Sequence, residues 1–363
     1  MHSSKKLKAY FLRLVTHKKT TTFDIKNARN ILFLRYDRIG DMVITTPVFR
    51  ELKREYPEIN ISVLASKVNQ TVLHNNPYVD KVYINYKNNL FRDLPTLLKL
   101  RNKKFDVCVE FDHSVIPHSI ARLRIIKPKK IISVVKEGRY GVKGSELELY
   151  DYFTEKSKDA HFQDIWLNTL SPFGVTPKSK QYDLFCTDQQ KRKAIDFLLQ
   201  FQKKIIIGIN LEGAVKGKKI TSDKLEEICH GIYHFNKDVQ IILLSIPKIY
   251  KNIVRLSQKM NLPYVVPSYK TTSVLDVAAL IQNLQLIITP DTSIVHIASA
   301  FNVPIVSIHE NNNDSYRLFA PTSELNRTVF SKSRVSLNGF SLDLLLGYCF
   351  ELINLKNKVD YEQ

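Results

Sequence analysis

Residues Arg35 to Pro47 read RYDRIGDMVITTP. They follow ILFL, an apolar run suited to a buried strand, and precede VFRELKREYP, which has helical spacing. Four charged residues, Arg35, Asp37, Arg38 and Asp41, surround Gly40 at what should be a plain strand-to-helix turn. Asp41 sits at or just before a helix start. It can be an N-cap, or a carboxylate aimed into a cleft as a general base. A helix start favours the ionised form, so such a base would be ready but weak. Arg35 and Arg38 can hold an anionic acceptor, or pair with Asp37 and Asp41. Pro47 either follows a Thr46 cap or kinks a helix begun earlier.

A second corner, LIITPDTSIVHIASAFNVPIVSI, runs from Leu286 to Ile308. Asp291 or Thr292 can cap the helix after it. The backbone N–H groups of Thr292, Ser293 and Ile294 would then form an anion site suited to a diphosphate. His296 lies one turn after Thr292, as a core histidine or as part of that site. In a third segment, INLEGAVKGKKITSDKLEEI from Ile209, Lys216, Lys218 and Lys219 precede a helix capped by Thr221 or Ser222. This is a solvated basic loop or a phosphate contact. It is not a P-loop, since Gly213 and Gly217 are too close together and Lys218 is followed by Lys219.

These corners need strands to carry them. Candidate strands are ILFLRY, ISVLAS, KVYIN, FDVCVEF and KIISVV in the first half, and KIIIGIN, VQIILLSI, PYVVPS, LIITPD and PIVSIHE in the second. Helical patterns intervene, which predicts parallel sheets covered on both faces. SPFGVTPKSKQ, from Ser171, reads as a linker. The expectation is two doubly wound α/β domains facing one another, over residues 1–172 and 173–363. The final helix, about 341–356, is free to pack back on the first domain. In such sheets ligands bind at the carboxyl ends of the strands, where the charged corners lie.

Composition narrows the classes. The formal net charge is +19. A nucleic-acid partner, an anionic membrane or A/T-rich coding would each produce it. No helix-turn-helix, zinc or RNP pattern supports nucleic acid, and no strand is followed by G-x-G-x-x-G as a dehydrogenase would require. The four cysteines form no C-x-x-C pair and read as reduced thiols of a cytosolic protein. Residues 1–30 hold eight Lys and Arg against Asp24 alone. There KKLKAYFLRLVTHKK is either a short basic helix with Leu7, Tyr10, Phe11, Leu14 and Val15 on one side, able to lie on a membrane, or a frayed terminus.

Taken together, ILFLRYDRIGDMVITTPVFRELKREYPEINISVLAS, ITPDTSIVHIASAFNVPIVSIHE and DAHFQDIWLNTLSPFGV resemble glycosyltransferase family 9, the ADP-heptose:lipopolysaccharide heptosyltransferases. The resemblance spans Ile31 to about Pro321. It implies a GT-B fold of two facing Rossmann-like domains and an inverting transfer with no obligatory metal or other cofactor. It implies a nucleotide-sugar donor, held mainly by the second domain, and a phosphorylated lipopolysaccharide-type acceptor at the inner face of an anionic inner membrane. Carried over by position, Asp41 would be the base and Lys218 would contact the donor phosphates. Asp291 would touch the sugar, Thr292 and Ser293 would offer N–H groups to the diphosphate, and His296 would support that turn. Three positions depart from the family. Ser293 replaces a glycine, Ile220 stands where a tryptophan is expected, and SIPKIY lacks a ribose-binding acid. The alternatives are a GT-B sugar-nucleotide epimerase or hydrolase and, from another class, a basic nucleic-acid-binding protein.

Overall fold

A computed structural model of the chain describes residues 9–10, 12–18, 22–86, 89–154, 160–202, 204–213 and 217–362. The chain divides into two compact units, the first ending at Lys180 and the second beginning at Gln181. Unit one holds a sheet of β1 (Asn30–Arg35), β2 (Asn60–Ser66), β3 (Lys81–Asn85), β4 (Val107–Glu110), β5 (Lys130–Val134) and β6 (Tyr152–Thr154), in the order β3-β2-β1-β4-β5-β6. Unit two holds β7 (Ile205–Ile209), β8 (Val239–Leu243), β9 (Val265–Pro267), β10 (Leu286–Pro290), β11 (Ile305–His309) and β12 (Asn326–Phe330), in the order β12-β11-β10-β7-β8-β9. Counted from the first strand of each unit, both orders are the doubly wound 3-2-1-4-5-6. All pairings are parallel.

The central strands are buried along their length because helices cover both faces, so their sequences are continuous Ile, Val and Leu. The winding reverses between β1 and β4, where Leu34 pairs with Glu110, and between β7 and β10, where Ile209 pairs with Ile288. Ten strands are expected from the apolar runs. The two extra ones, β6 and β12, are edge strands only partly covered, so their sequences carry no such run.

Helix α1 (Ile39–Glu55) settles the position of Pro47, which lies inside the helix. Gly40 is its second residue and has no positive φ, so no tight glycine turn is made there. A proline at 47 has no N–H for the carbonyl of Val43, one helical turn back. The hydroxyl of Thr46 donates to that carbonyl instead, at 2.7 Å, and is fully buried. The helix therefore continues past its proline with no orphaned acceptor.

The expected boundary after Pro172 is corrected to one after Lys180. The segment 173–180 is fastened to unit one: Phe173 is buried, Tyr56 donates to its carbonyl at 2.6 Å, and Arg50 donates to the carbonyl of Ser179 at 2.9 Å. The carboxylate of Glu51, fully buried in α1, accepts the backbone N–H of Lys178 at 2.7 Å. The final helix, Leu342–Glu362, packs on Ser222–Phe235 and on β10 to β12 of its own unit, placing Leu345, Cys349 and Leu352 in that core. All four cysteines are free thiols.

In the basic N-terminal segment, Leu7 and Phe11 lie outside the described residues, as do Lys5, Lys6, Lys8 and Lys19. The described residues between Ala9 and Thr16 are helical rather than frayed. Ala9, Leu12 and Thr16 are buried against unit one. Arg13 pairs with Glu146 at 3.1 Å, Lys18 pairs with Asp151 at 2.6 Å, and Arg124 donates to the carbonyl of His17 at 3.1 Å.

Thr46→Val keeps the shape and leaves the Val43 carbonyl unpaired, so chemical denaturation should show a loss of about 1–3 kcal/mol. Adding Pro47→Ala returns an N–H donor and should recover most of that loss.

Candidate functional site

The corner after β1 is built around a buried guanidinium. Arg35 is 2% exposed. Its carbon Cζ lies 3.6 Å from the centroid of the Trp166 ring and 5.1 Å from that of Phe111. Its edge points at two carboxylates. Nη1 donates to Asp37 at 3.0 Å, Nη2 lies 3.7 Å from Asp41 Oδ1, and Nε donates to the Asp41 carbonyl at 3.3 Å. Asn69, fully buried after β2, donates to the Arg35 carbonyl at 3.1 Å and fixes the strand end. Arg35 is thus enclosed by protein groups, with its guanidinium set between Asp37 and Asp41. Arg38 is exposed, with no side-chain ion pair among the described residues, and keeps its side chain open to solvent.

Asp41 is the third residue of α1, and Oδ2 accepts the backbone N–H of Arg38 at 3.2 Å. Burial pushes its pKa up, with Arg35 opposing and Asp37 adding to the rise. The net shift is upward, so Asp41 is a stronger base than an ordinary carboxylate at a helix start. Burial therefore outweighs the Arg35 guanidinium and the backbone N–H of Arg38, both of which favour the ionised form.

A second group stands across the switch point, past the end of β4. Asp112 Oδ2 accepts from Ser119, whose hydroxyl is in turn bonded to that of Tyr36. Lys136 Nζ, buried, donates to the Asp112 carbonyl at 2.6 Å and pairs with Glu110 at 2.6 Å. Burial and the neighbouring Glu110 raise the Asp112 pKa to about 7. Sequence reading missed this group, because its members come from four separate elements. The available signal was an acid at the carboxyl end of an apolar strand, FDVCVEFD.

In unit two, helix α9 (Ser293–Ala300) is capped by Thr292, whose hydroxyl accepts the N–H of Ile294 at 3.2 Å. Asn210, after β7, donates across the switch point to Thr289 at 3.0 Å and to Thr292 at 3.2 Å, locking the cap. Ser293 has no positive φ, so the backbone there does not require the family's glycine. Lys218 Nζ lies 3.2 Å from Asp291 and 2.6 Å from Glu310, which comes after β11. Burial works against the Lys218 charge, but Glu310 and Asp291 outweigh it and raise its pKa. Lys216 lies outside the described residues, and Lys219 pairs with Glu212 at 2.6 Å. A Cβ on Gly213 would fall 1.6 Å from the Lys218 carbonyl oxygen, so only glycine lets the two chain segments approach this closely.

His296 is buried, with its ring against Tyr182 and Phe319, so it supports α9 from within. His309, beside the site, is also buried. Burial lowers its pKa, with Asp291 opposing, which favours the neutral ring. Asn210 and Glu310 were not singled out from sequence, although Glu310 ends an apolar strand just as Asp291 does. After β8, Ser245 turns inward to Ser268, 3.0 Å away, and no acid stands at that strand end. Among the described residues no group of His, Cys, Asp and Glu side chains is placed to hold a metal ion.

Residues 98–336 match the family model described as glycosyltransferase family 9 (heptosyltransferase). The chain belongs to glycosyltransferase family 9. Lipopolysaccharide heptosyltransferase 3 of Escherichia coli is 23% identical over 295 residues, covering 74% of this chain and 80% of that protein. The solved family 9 structure from Veillonella parvula superposes with a TM-score of 0.73 at 17% identity, covering 91% of this chain and 98% of that one. The structure of E. coli ADP-heptose lps heptosyltransferase II gives 0.70 at 18% identity, covering 90% and 99%. These likenesses show the GT-B α/β fold, as expected. The family makes the chain a glycosyltransferase.

Two outcomes test this geometry. Arg35→Lys keeps the charge but loses the stacking and the fork, so kcat should fall roughly 10- to 100-fold with the KM for the nucleotide sugar unchanged. The raised pKa of Asp112 means the folded state holds a proton that the unfolded chain has released above its own pKa, near 4. That stability is full below the unfolded pKa and is lost as pH rises towards about 7. In Asp112→Asn the fall in melting temperature between pH 5 and pH 8 should therefore be smaller than in the parent protein.

Proposed function

We propose that this family 9 glycosyltransferase moves a heptose from ADP-heptose to a lipopolysaccharide core acceptor, with inversion at the anomeric carbon. The observation that carries the reading is Asp41, a carboxylate of raised basicity held by a buried arginine at a strand's carboxyl end. In this reading the acceptor hydroxyl oxygen attacks the anomeric carbon. Its proton passes to Asp41, the bond from that carbon to the diphosphate oxygen breaks, and ADP leaves with the electron pair.

Unit two supplies the donor side. The Thr292 and Ser293 N–H groups at the start of α9 and the ammonium of Lys218 would meet the charge that develops on the diphosphate. Asp291 would then be free to accept from a sugar hydroxyl. These groups offer positive charge where other enzymes place a divalent cation, so our reading needs no obligatory metal, and chelation by EDTA should leave the rate unchanged. Arg38, exposed beside Asp41, would meet acceptor phosphates or carboxylates. An acceptor of this kind is built on a lipid, which would place the work at the cytoplasmic face of an anionic membrane. Likeness to the lipopolysaccharide heptosyltransferase and to the ADP-heptose heptosyltransferase structure of E. coli supports a heptose donor and a lipopolysaccharide acceptor.

The test is incubation with ADP-heptose and deacylated lipopolysaccharide acceptors, read by mass spectrometry for one added heptose. Asp41→Asn should lose about 10²–10⁴-fold in kcat while binding ADP normally. In the parent enzyme the rate should fall as pH drops through the raised Asp41 pKa, and this limb should vanish from the residual activity of the variant. Release of free heptose without transfer would favour a hydrolase. No adduct and no ADP binding would overturn the reading.

A further inference from the structure

Helix α2 (Leu90–Asn102) is amphipathic in an unusual sense. Its inner side is formed by Asp93, Leu97 and Leu100, all essentially buried. Its outer side is also apolar. Phe91 is 91% exposed, and Leu94 and Leu98, on the same stripe at helical spacing, are exposed as well. Arg92 and Lys99 flank that stripe on one side and Arg101 on the other, all exposed. The one acid of the helix, Asp93, is turned inward and paired with Arg122 at 2.9 Å. An outward face of Phe and Leu edged by cations, with its carboxylate withdrawn, is the pattern of a helix lying in a lipid interface.

Two further features lie on the same side of unit one. Ala9 and Leu12 pack into the same buried cluster as Leu97 and Leu100, so the N-terminal helix and α2 cover one face of the sheet. That N-terminal helix also turns large apolar side chains outward, Tyr10 and Leu14. Next to α2, a groove of about 470 Å³ is lined by Asp80, Lys81, Val82, Tyr83, Lys99 and Lys103. Its one acid, Asp80, is already engaged by Lys53 at 3.1 Å and by the backbone N–H of Ile61 at 2.7 Å. The groove therefore presents lysines to any ligand.

We propose that this face of unit one, with α2 at its centre, docks on an anionic phospholipid bilayer: Phe91, Leu94 and Leu98 enter the acyl boundary, while Arg92, Lys99, Arg101 and Lys103 meet headgroup phosphates. Charge complementarity selects the occupant, because α2 exposes cations and apolar groups and no acid. The anchor is thereby assigned to α2, whereas the N-terminal helix, whose inner side is packed into the protein, adds Tyr10 and Leu14 among its described residues. This docking face deepens the reading of a lipid-borne acceptor but stands on separate residues, none of them in the catalytic corner.

The experiment is sedimentation of the full chain with vesicles of phosphatidylcholine, with and without phosphatidylglycerol. The parent protein should bind the phosphatidylglycerol vesicles, more weakly as salt is raised, and should bind pure phosphatidylcholine poorly. Phe91→Ser with Leu98→Ser should weaken binding at least about tenfold. Melting temperature and ADP binding should stay unchanged, since both side chains are exposed. Failure of the parent protein to bind anionic vesicles, or equal binding by the double variant, overturns the proposal. Loss of a dimer in the variant without vesicle binding also overturns it, in favour of a second copy of the chain. If heptose transfer to a deacylated acceptor fails while vesicle binding holds, the function above falls and the docking face stands.

Discussion

A guanidinium taken out of water needs opposite charge and ring faces around it, and in unit one that demand organises the site. Arg35 is compensated by two aromatic faces and two carboxylates. Removing any one of these would leave a buried charge poorly met, at a cost of several kcal/mol. The arrangement reaches across the fold. Trp166 comes from the helix before the unit boundary, Phe111 from the end of β4, Asp37 from the turn after β1 and Asp41 from the first turn of α1. One side chain thus ties together segments more than a hundred residues apart, and Asp41 inherits a fixed position from it.

Unit two repeats the topology and reverses the electrostatic roles. In each unit a buried or half-buried cation faces two carboxylates at the switch point of the sheet. In unit one the cation holds a carboxylate in place while burial raises its proton affinity. In unit two the carboxylates of Asp291 and Glu310 hold an ammonium firmly charged. The same fold and the same count of charges thus yield a carboxylate of raised proton affinity in one half and a firmly charged ammonium in the other.

Most of the fold was legible because the central strands must be continuously apolar once helices cover both faces. The edge strands β6 and β12 escaped for the converse reason, being only partly covered. The charged corners were legible as positions, since Asp41 and Thr292 stand at helix starts and Lys218 in the loop between a strand and a capped helix. Their states were not. That Arg35 is sealed between rings while Arg38 is open depends on Trp166, far along the chain. That Asp112 titrates near neutrality depends on burial and on Glu110. The boundary was misjudged because two prolines and a glycine suggest a free linker, and only the structure shows Glu51 capturing the N–H of Lys178.

Trp166 is the one tryptophan of the chain, and it lies against the Arg35 guanidinium. An indole beside a fixed cation has its excited state shifted by the local field, and that field changes whenever Asp37 or Asp41 changes charge or partner. Tryptophan emission, excited where the 17 tyrosines do not absorb, is accordingly a single-site signal. It responds without a label to changes around Arg35, and also to His113, which accepts from the indole N–H at 3.3 Å.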